Sequence, residues 1–231
     1  MTTSGKKARK AAPAVPSNGR IQINGFEPII AKNYAQGQYL DAIRSNQITF
    51  ATGPAGTGKS YIATAYAAEQ LYYKKIDKLI ITRPAVEAEE SLGFLPGELD
   101  EKYAPYLAPI RDILERLLGK SFVEYCLKVG YIEPVPIAFM RGRTFENAIV
   151  LLDEAQNCTP NQMKLILSRI GENCKYIIDG DVTQKDIDGD SGLEDAIYRL
   201  QNVQGVEVVR FLTHDIVRSS LCKKIIQAYS E

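Results

Sequence analysis

The segment GPAGTGKS (Gly53–Ser60) places glycines, a lysine and a hydroxyl in the order G-x-x-x-x-G-K-[ST], the spacing by which a short loop wraps phosphate oxygens. Gly53, Gly56 and Gly58 allow a tight backbone that aims N–H groups inward, with Pro54, Ala55 and Thr57 filling the loop between them. Lys59 is placed to reach β- and γ-phosphates, and the Ser60 hydroxyl to hold Mg²⁺. The apolar run ITFAT precedes the loop and an alanine-rich helical stretch follows it, so a helix N-terminus adds its positive dipole end. The implied chemistry is binding of a nucleoside triphosphate, read as ATP with Mg²⁺. A glycine-rich turn without a ligand would not need this strand–loop–helix context.

Downstream, VLLDEAQN sets Asp153 and Glu154 just past an apolar strand. An aspartate there can share the Mg²⁺ shell with Ser60, and the adjacent glutamate can orient and polarise an attacking water. Alone, the pair could equally be solvated acids or helix-cap chemistry; the upstream loop favours the catalytic reading. A water-activating glutamate also favours hydrolysis over a small-molecule kinase, which must exclude water. In KYIIDGDVTQ, a strand is followed by Gly180, Asp181, Thr183 and Gln184, and a glutamine beside a γ-phosphate can report its presence by gaining or losing a hydrogen bond.

The elements that must carry these groups alternate between short β-branched runs and amphipathic stretches, the pattern of βα units around a parallel sheet. Strands are expected at Ile48–Thr52, Lys78–Thr82, Ala148–Glu154, Lys175–Asp179 and Val206–Leu212. Helices are expected at Lys59–Tyr73, Tyr103–Leu118, Ser121–Leu127, from Pro160 toward Gly171, Gly192–Leu200 and Asp215–Tyr229. Five such strands give an α/β, doubly wound parallel sheet flanked by helices, the P-loop NTPase class, whose ligands sit at the carboxyl ends of the strands.

Composition narrows the function classes. The 231 residues, 45% hydrophobic, suit one α/β domain with a sizeable core. Net charge is zero, yet residues 1–20 carry Lys6, Lys7, Arg9, Lys10 and Arg20 and no acid. That segment reads as a disordered basic tail before a domain at 21–231. Cys126, Cys158, Cys174 and Cys222 form no CxxC pair and His214 is the single histidine, which argues against zinc and for reduced intracellular thiols. No apolar run approaches membrane-spanning length and no signal-peptide stretch opens the chain, so a cytoplasmic protein is expected.

The succession GPAGTGKS, TRPAVEAEESLGFLPGELDEKYAPYL, MRGRT, LLDEAQN, GDVTQ and HDIVRS closely resembles the PhoH family, P-loop ATPases similar to the first motor domain of superfamily 1 helicases. The resemblance covers roughly Gln36–Tyr229 and implies a single RecA-like core. It gives Gln36, 17 positions before Gly53, the role of reading the adenine edge, with Gln38 as the alternative register. It makes Gln184 the γ-phosphate sensor. Arg83, after KLIIT, falls where helicase-like proteins touch the nucleic-acid backbone; an ion pair with Glu87, Glu89 or Glu90 is the competing reading. Arg141 and Arg143 could bind nucleic acid or reach a neighbour's nucleotide, or be solvated in a surface loop. Arg218 is the candidate arginine finger, against a helix-surface salt bridge.

The function implied is hydrolysis of MgATP coupled to single-stranded RNA or DNA. One motor domain in a chain of this length suggests a homo-oligomer, a hexameric ring being one form. The rival reading is an ATP-gated binding module with slow hydrolysis and no motor activity.

Overall fold

The computed structural model describes residues 25–84 and 99–217. Its centre is a six-stranded sheet in the order β3-β2-β4-β5-β1-β6, parallel at every pairing. The strands are β1 Ile48–Thr52, β2 Lys78–Thr82, β3 Ile132–Pro134, β4 Ala148–Leu152, β5 Lys175–Gly180 and β6 Val206–Arg210. Five match the apolar runs of the sequence. The sixth, β3, was not expected: three residues including an acid and a proline give no strand signal. It is tolerable because β3 lies at the sheet edge, where a missing proline N–H costs no ladder bond.

Alternation along the strands divides the core in two. Ala51, Leu79, Ile81, Ile149, Leu151 and Ile177 face one layer. That layer is built by α1 Tyr34–Ser45, α2 Lys59–Tyr72, α3 Leu99–Leu118 and α4 Lys120–Val129. Phe50, Ile80, Val150, Leu152, Tyr176 and Ile178 face the other, covered by α5 Pro160–Leu167 and α6 Gly192–Leu200. Burial on both faces explains why these strands read as continuous apolar runs. Phe50 is fully buried, and truncating such a side chain to alanine costs about 3–5 kcal/mol.

Local chemistry sets the helix ends. Thr159 and Gln162 form a reciprocal capping box at α5 with Pro160 just inside it, satisfying end N–H groups that would otherwise lack partners. That helix stops at Leu167, because Ser168 to Ile170 turn into a bridge between Ile170 and Phe145. Gly119 and Gly130 bracket α4 as expected.

Two strand ends differ from the sequence expectation in a way that matters. β4 stops at Leu152; the Asp153 N–H still donates to Thr82 O at 3.1 Å, and Glu154 then turns away into the left-handed region at φ 55°. β6 stops at Arg210, and Leu212 leads into a short 3₁₀ turn, Thr213–Asp215, followed by extended Ile216. A helix therefore does not start at Asp215. The basic tail, the segment around Glu87, Glu89 and Glu90, and Arg218 with the rest of the expected closing helix lie outside the described residues.

Candidate functional site

The strand order sets β5 between β1 and β4, so the phosphate-type loop, the Asp153–Glu154 pair and the Gly180–Gln184 turn converge at one end of the sheet. They line a cleft of about 230 Å³ with Gly58, Lys59, Ser60, Asp153, Glu154 and Gln184 on its walls.

The loop is held closed from outside. Gly53 has φ 136°, and a Cβ there would lie 2.2 Å from the Phe211 carbonyl oxygen. Gly58 has φ 89°, and its Cβ would meet Gln36 Nε2 at 2.5 Å. Both sites therefore exclude side chains for conformational and steric reasons together. Gln36 Nε2 donates to Thr57 O at 2.8 Å, Thr57 Oγ1 to Pro54 O at 3.0 Å, and the Val217 N–H to Gly56 O at 3.0 Å. Helix α2 starts at Lys59 behind Gly58, with no side chain capping its first turn. Its first N–H groups and its dipole thus favour an anion.

Lys59 is buried and its Nζ donates to Gly53 O at 2.6 Å and Pro54 O at 3.0 Å. Burial pulls the ammonium pKa below its ordinary value, opposed by the negative charges of Asp179, Asp181, Glu154 and Asp153. Ser60 Oγ donates to Asp153 Oδ1 at 3.0 Å. Glu154 accepts from Gln156 Nε2 at 2.6 Å and from Arg83 Nη2 at 3.2 Å. Gln184 Nε2 donates to Asp181 Oδ2 at 2.7 Å, and Asp181 also takes the Thr183 N–H and hydroxyl.

Beneath the cleft lies Asp179, which the sequence shows only as the polar tip of a strand. It is buried, and burial followed by the charge of Asp153 raises its pKa well above the ordinary carboxylate value. Its Oδ1 has no hydrogen-bond partner. Ser60, Asp153 and this oxygen are the hard donors that suit Mg²⁺, and Lys59 with the loop amides suits a polyphosphate.

Other expected residues divide. Gln36 is buried against the loop, its Oε1 taking the Lys32 N–H at 2.8 Å, whereas Gln38 is exposed, which places Gln36, not Gln38, at the site. Arg83 turns inward to Glu154 and, at 3.9 Å, to Asp153, partners the sequence did not suggest. Arg143 is half-buried, paired with Glu133 at 2.8 Å and stacked over Phe145 at 4.9 Å, so it is not a fully solvated loop arginine. Arg141 is exposed. His214 is exposed, 3.6 Å from Asp215.

A sequence profile described as PhoH-like protein matches residues 28–230. The chain belongs to the PhoH-like protein family. It is 53% identical over 207 residues to Protein PhoH of Escherichia coli (strain K12), covering 88% of this chain and 58% of that protein. It is 47% identical over 205 residues to the PhoH-like protein of Bacillus subtilis (strain 168), covering 88% and 64%. The chain thus spans about three fifths of the length of these relatives. Among solved structures, the Pif1 helicase from Candida albicans superposes with a TM-score of 0.40 at 14% identity, covering 80% of this chain and 40% of that one. Among the described residues, no helix is long and apolar enough to cross a membrane.

Proposed function

We propose that this PhoH-like chain binds MgATP and hydrolyses its terminal phosphate, and that the cycle is coupled to single-stranded RNA or DNA in a homo-oligomer. The observation that carries the nucleotide reading is the meeting of Lys59, Ser60, Asp153 and Glu154 in one cleft, brought there by separate strand ends. The nucleic-acid part rests on the family resemblance, and the assembly part on the need of a single motor domain for a second wall, a hexameric ring being one form.

In this reading Lys59 exchanges its carbonyl partners, Gly53 and Pro54, for β- and γ-phosphate oxygens, whose negative charge makes the bond stronger. The first-turn N–H groups of α2 hold the phosphate chain from below. Ser60 and Asp153 would hold Mg²⁺, which when bound would withdraw charge from the phosphate oxygens. Glu154 orients a water and takes its proton as the water oxygen attacks the γ-phosphorus. The bond to the bridging oxygen breaks, leaving ADP and inorganic phosphate. Gln184, on the turn facing Glu154, reads the γ-phosphate. Gln36 contributes its carboxamide to the adenine edge, from a position already fixed against the loop at Thr57.

The test is phosphate release from ATP and GTP by the wild type and Lys59→Ala, with and without EDTA. It is repeated across an RNA and DNA panel with the mass in solution recorded. Turnover that depends on Mg²⁺ and disappears in Lys59→Ala supports the reading. Undiminished turnover in Lys59→Ala, or none in the wild type, overturns it. Tight ATP binding with turnover too slow to respond to any nucleic acid would favour a gated binding module instead.

A further inference from the structure

Gln156, two residues past Glu154 within LLDEAQN, is given no role by the sequence, yet its side chain bonds both to Glu154 and to the Asp181–Gln184 turn. It lies on the short 3₁₀ turn Ala155–Asn157 and is buried. Its Nε2 donates to Glu154 Oε2 at 2.6 Å and to the Gln184 carbonyl at 3.2 Å, and its Oε1 accepts the Asp181 N–H at 3.0 Å. The orientation of this amide is fixed by chemistry. Reversed, its oxygen would face a carboxylate and a carbonyl, and its NH₂ would face an N–H.

The surrounding packing leaves this carboxamide little freedom. A Cβ on Gly180 would lie 2.6 Å from Gln156 Oε1 and 3.0 Å from its backbone nitrogen, so the two chains touch with no side chain between them. Ser191 Oγ donates to the Gln156 carbonyl at 3.0 Å. The neighbouring Asn157 is tied to Asp186 in both directions, its Nδ2 to Asp186 Oδ2 at 3.3 Å and the Asp186 N–H to its Oδ1 at 2.8 Å. The turn is thus clamped by its neighbours, while the Gln156 amide spans from Glu154 to the Asp181–Gln184 turn. An amide does not ionise in the working range, so it can hold a carboxylate oxygen without competing for the proton of the water.

The geometry points to Gln156 as a positioning residue that locks the Glu154 carboxylate to the Asp181–Gln184 turn, so that a shift of Gln184 on the γ-phosphate resets the aim of Glu154. This inference rests on the hydrolysis reading above. A simple brace between two loops predicts something different: its loss would lower stability and nucleotide affinity together, with no special coupling to Gln184.

The experiment measures saturating MgATP turnover for the wild type, Gln156→Leu, Gln156→Glu, Gln184→Ala and the Gln156→Leu/Gln184→Ala double variant. Affinity for a fluorescent non-hydrolysable ATP analogue and the melting temperature are measured in parallel. Gln156→Glu keeps the acceptor for the Asp181 N–H but sets an acceptor against Glu154, so it serves if Gln156→Leu fails to fold. Loss of a hydrogen bond to a charged group predicts kcat down by about 10- to 100-fold in each Gln156 variant. Analogue affinity is expected to stay within about 2-fold, and the double variant to be no slower than its slower parent within about 2-fold. Unchanged kcat, additive losses, or a loss of analogue affinity matching the loss of turnover would each overturn the inference while leaving wild-type hydrolysis intact. A wild type that releases no phosphate overturns the hydrolysis reading itself, and this inference with it.

Discussion

Ser60 Oγ and Asp153 Oδ1 are joined at 3.0 Å across 93 positions of sequence, although the strands that lead to them are not neighbours. β5 runs between β1 and β4, and its Asp179 sits close enough to Asp153 and Ser60 for both to perturb its carboxyl. The hydroxyl and the carboxylate therefore meet over a buried acid and not over a neutral floor, an arrangement that needs a cation or a proton to offset its charge.

If Ser60 and Asp153 hold the metal, Ser60→Ala should raise the Mg²⁺ concentration needed for tight ATP-analogue binding by about 10-fold, the lower range for loss of a metal-site group. Binding measured in EDTA should change little, because Lys59 and the loop amides remain. A Mg²⁺ titration indistinguishable from the wild type would remove Ser60 from the metal site.

Glu154→Gln tests chemistry apart from binding. The substitution keeps the shape beside Arg83 and Gln156, and its amide can still offer an oxygen to Gln156 Nε2. It removes the carboxylate that polarises water, so turnover should fall by about 10²-fold or more, within the range for loss of a general base. ATP affinity should persist. An equally severe loss of ATP binding would make Glu154 a structural residue or a metal ligand.

The loop and both acids are legible in sequence because each follows an apolar run, and an apolar run buried on both faces is the clearest strand signal a chain gives. Lys59, Asp153 and Gln184 could be named for that reason. Gln156 and Asp179 are given no role by the sequence, since their contacts with Glu154, Asp153 and the Gln184 turn arise from β5 being threaded between β1 and β4, and strand order is not written in periodicity. Arg83 and Arg143 show the same limit: each is a charged residue after or between strands, and only the fold shows that one turns toward Glu154 and the other toward Glu133. β3 escaped because an edge strand of three residues needs no apolar pattern.

Arg143 and Glu133 yield a stability prediction with a defined pH window. Burial alone would raise the Glu133 pKa, but the bonds from Arg143 and Lys78 outweigh it and hold the carboxyl below its ordinary value of 4.5. The folded state thus binds that proton less readily than the unfolded chain, so the stabilisation is present above the ordinary value and is lost as pH falls through the lowered one. Glu133→Gln and Arg143→Ala should each lower the melting temperature at neutral pH by about 2–4 °C, as befits a partly exposed pair worth about 1 kcal/mol. The gap between Glu133→Gln and the wild type should close in acid. Phosphate release should be unchanged. Lost turnover in Arg143→Ala with an unchanged melting temperature would instead place Arg143 on nucleotide or nucleic acid.

Arg83 separates an active-site role from a nucleic-acid role. Its guanidinium lies 3.2 Å from Glu154 and 3.9 Å from Asp153 while its own side chain is 26% exposed, so water partly screens the pairs and each is worth about 1 kcal/mol at most. A guanidinium that helps hold Glu154 in place should matter with no nucleic acid present. Arg83→Ala is therefore expected to lower unstimulated kcat by about 5-fold, the rate equivalent of 1 kcal/mol, with little change in ATP affinity. Arg83→Lys should recover part of that loss, because an ammonium can pair with one carboxylate but cannot fork between two. The removed charge should also act through Glu154, so Arg83→Ala placed on Glu154→Gln should cost nothing further. Should Arg83→Ala leave unstimulated turnover untouched and abolish only the increment produced by single-stranded RNA or DNA, the guanidinium works on the nucleic-acid backbone, and its contact with Glu154 is incidental to catalysis.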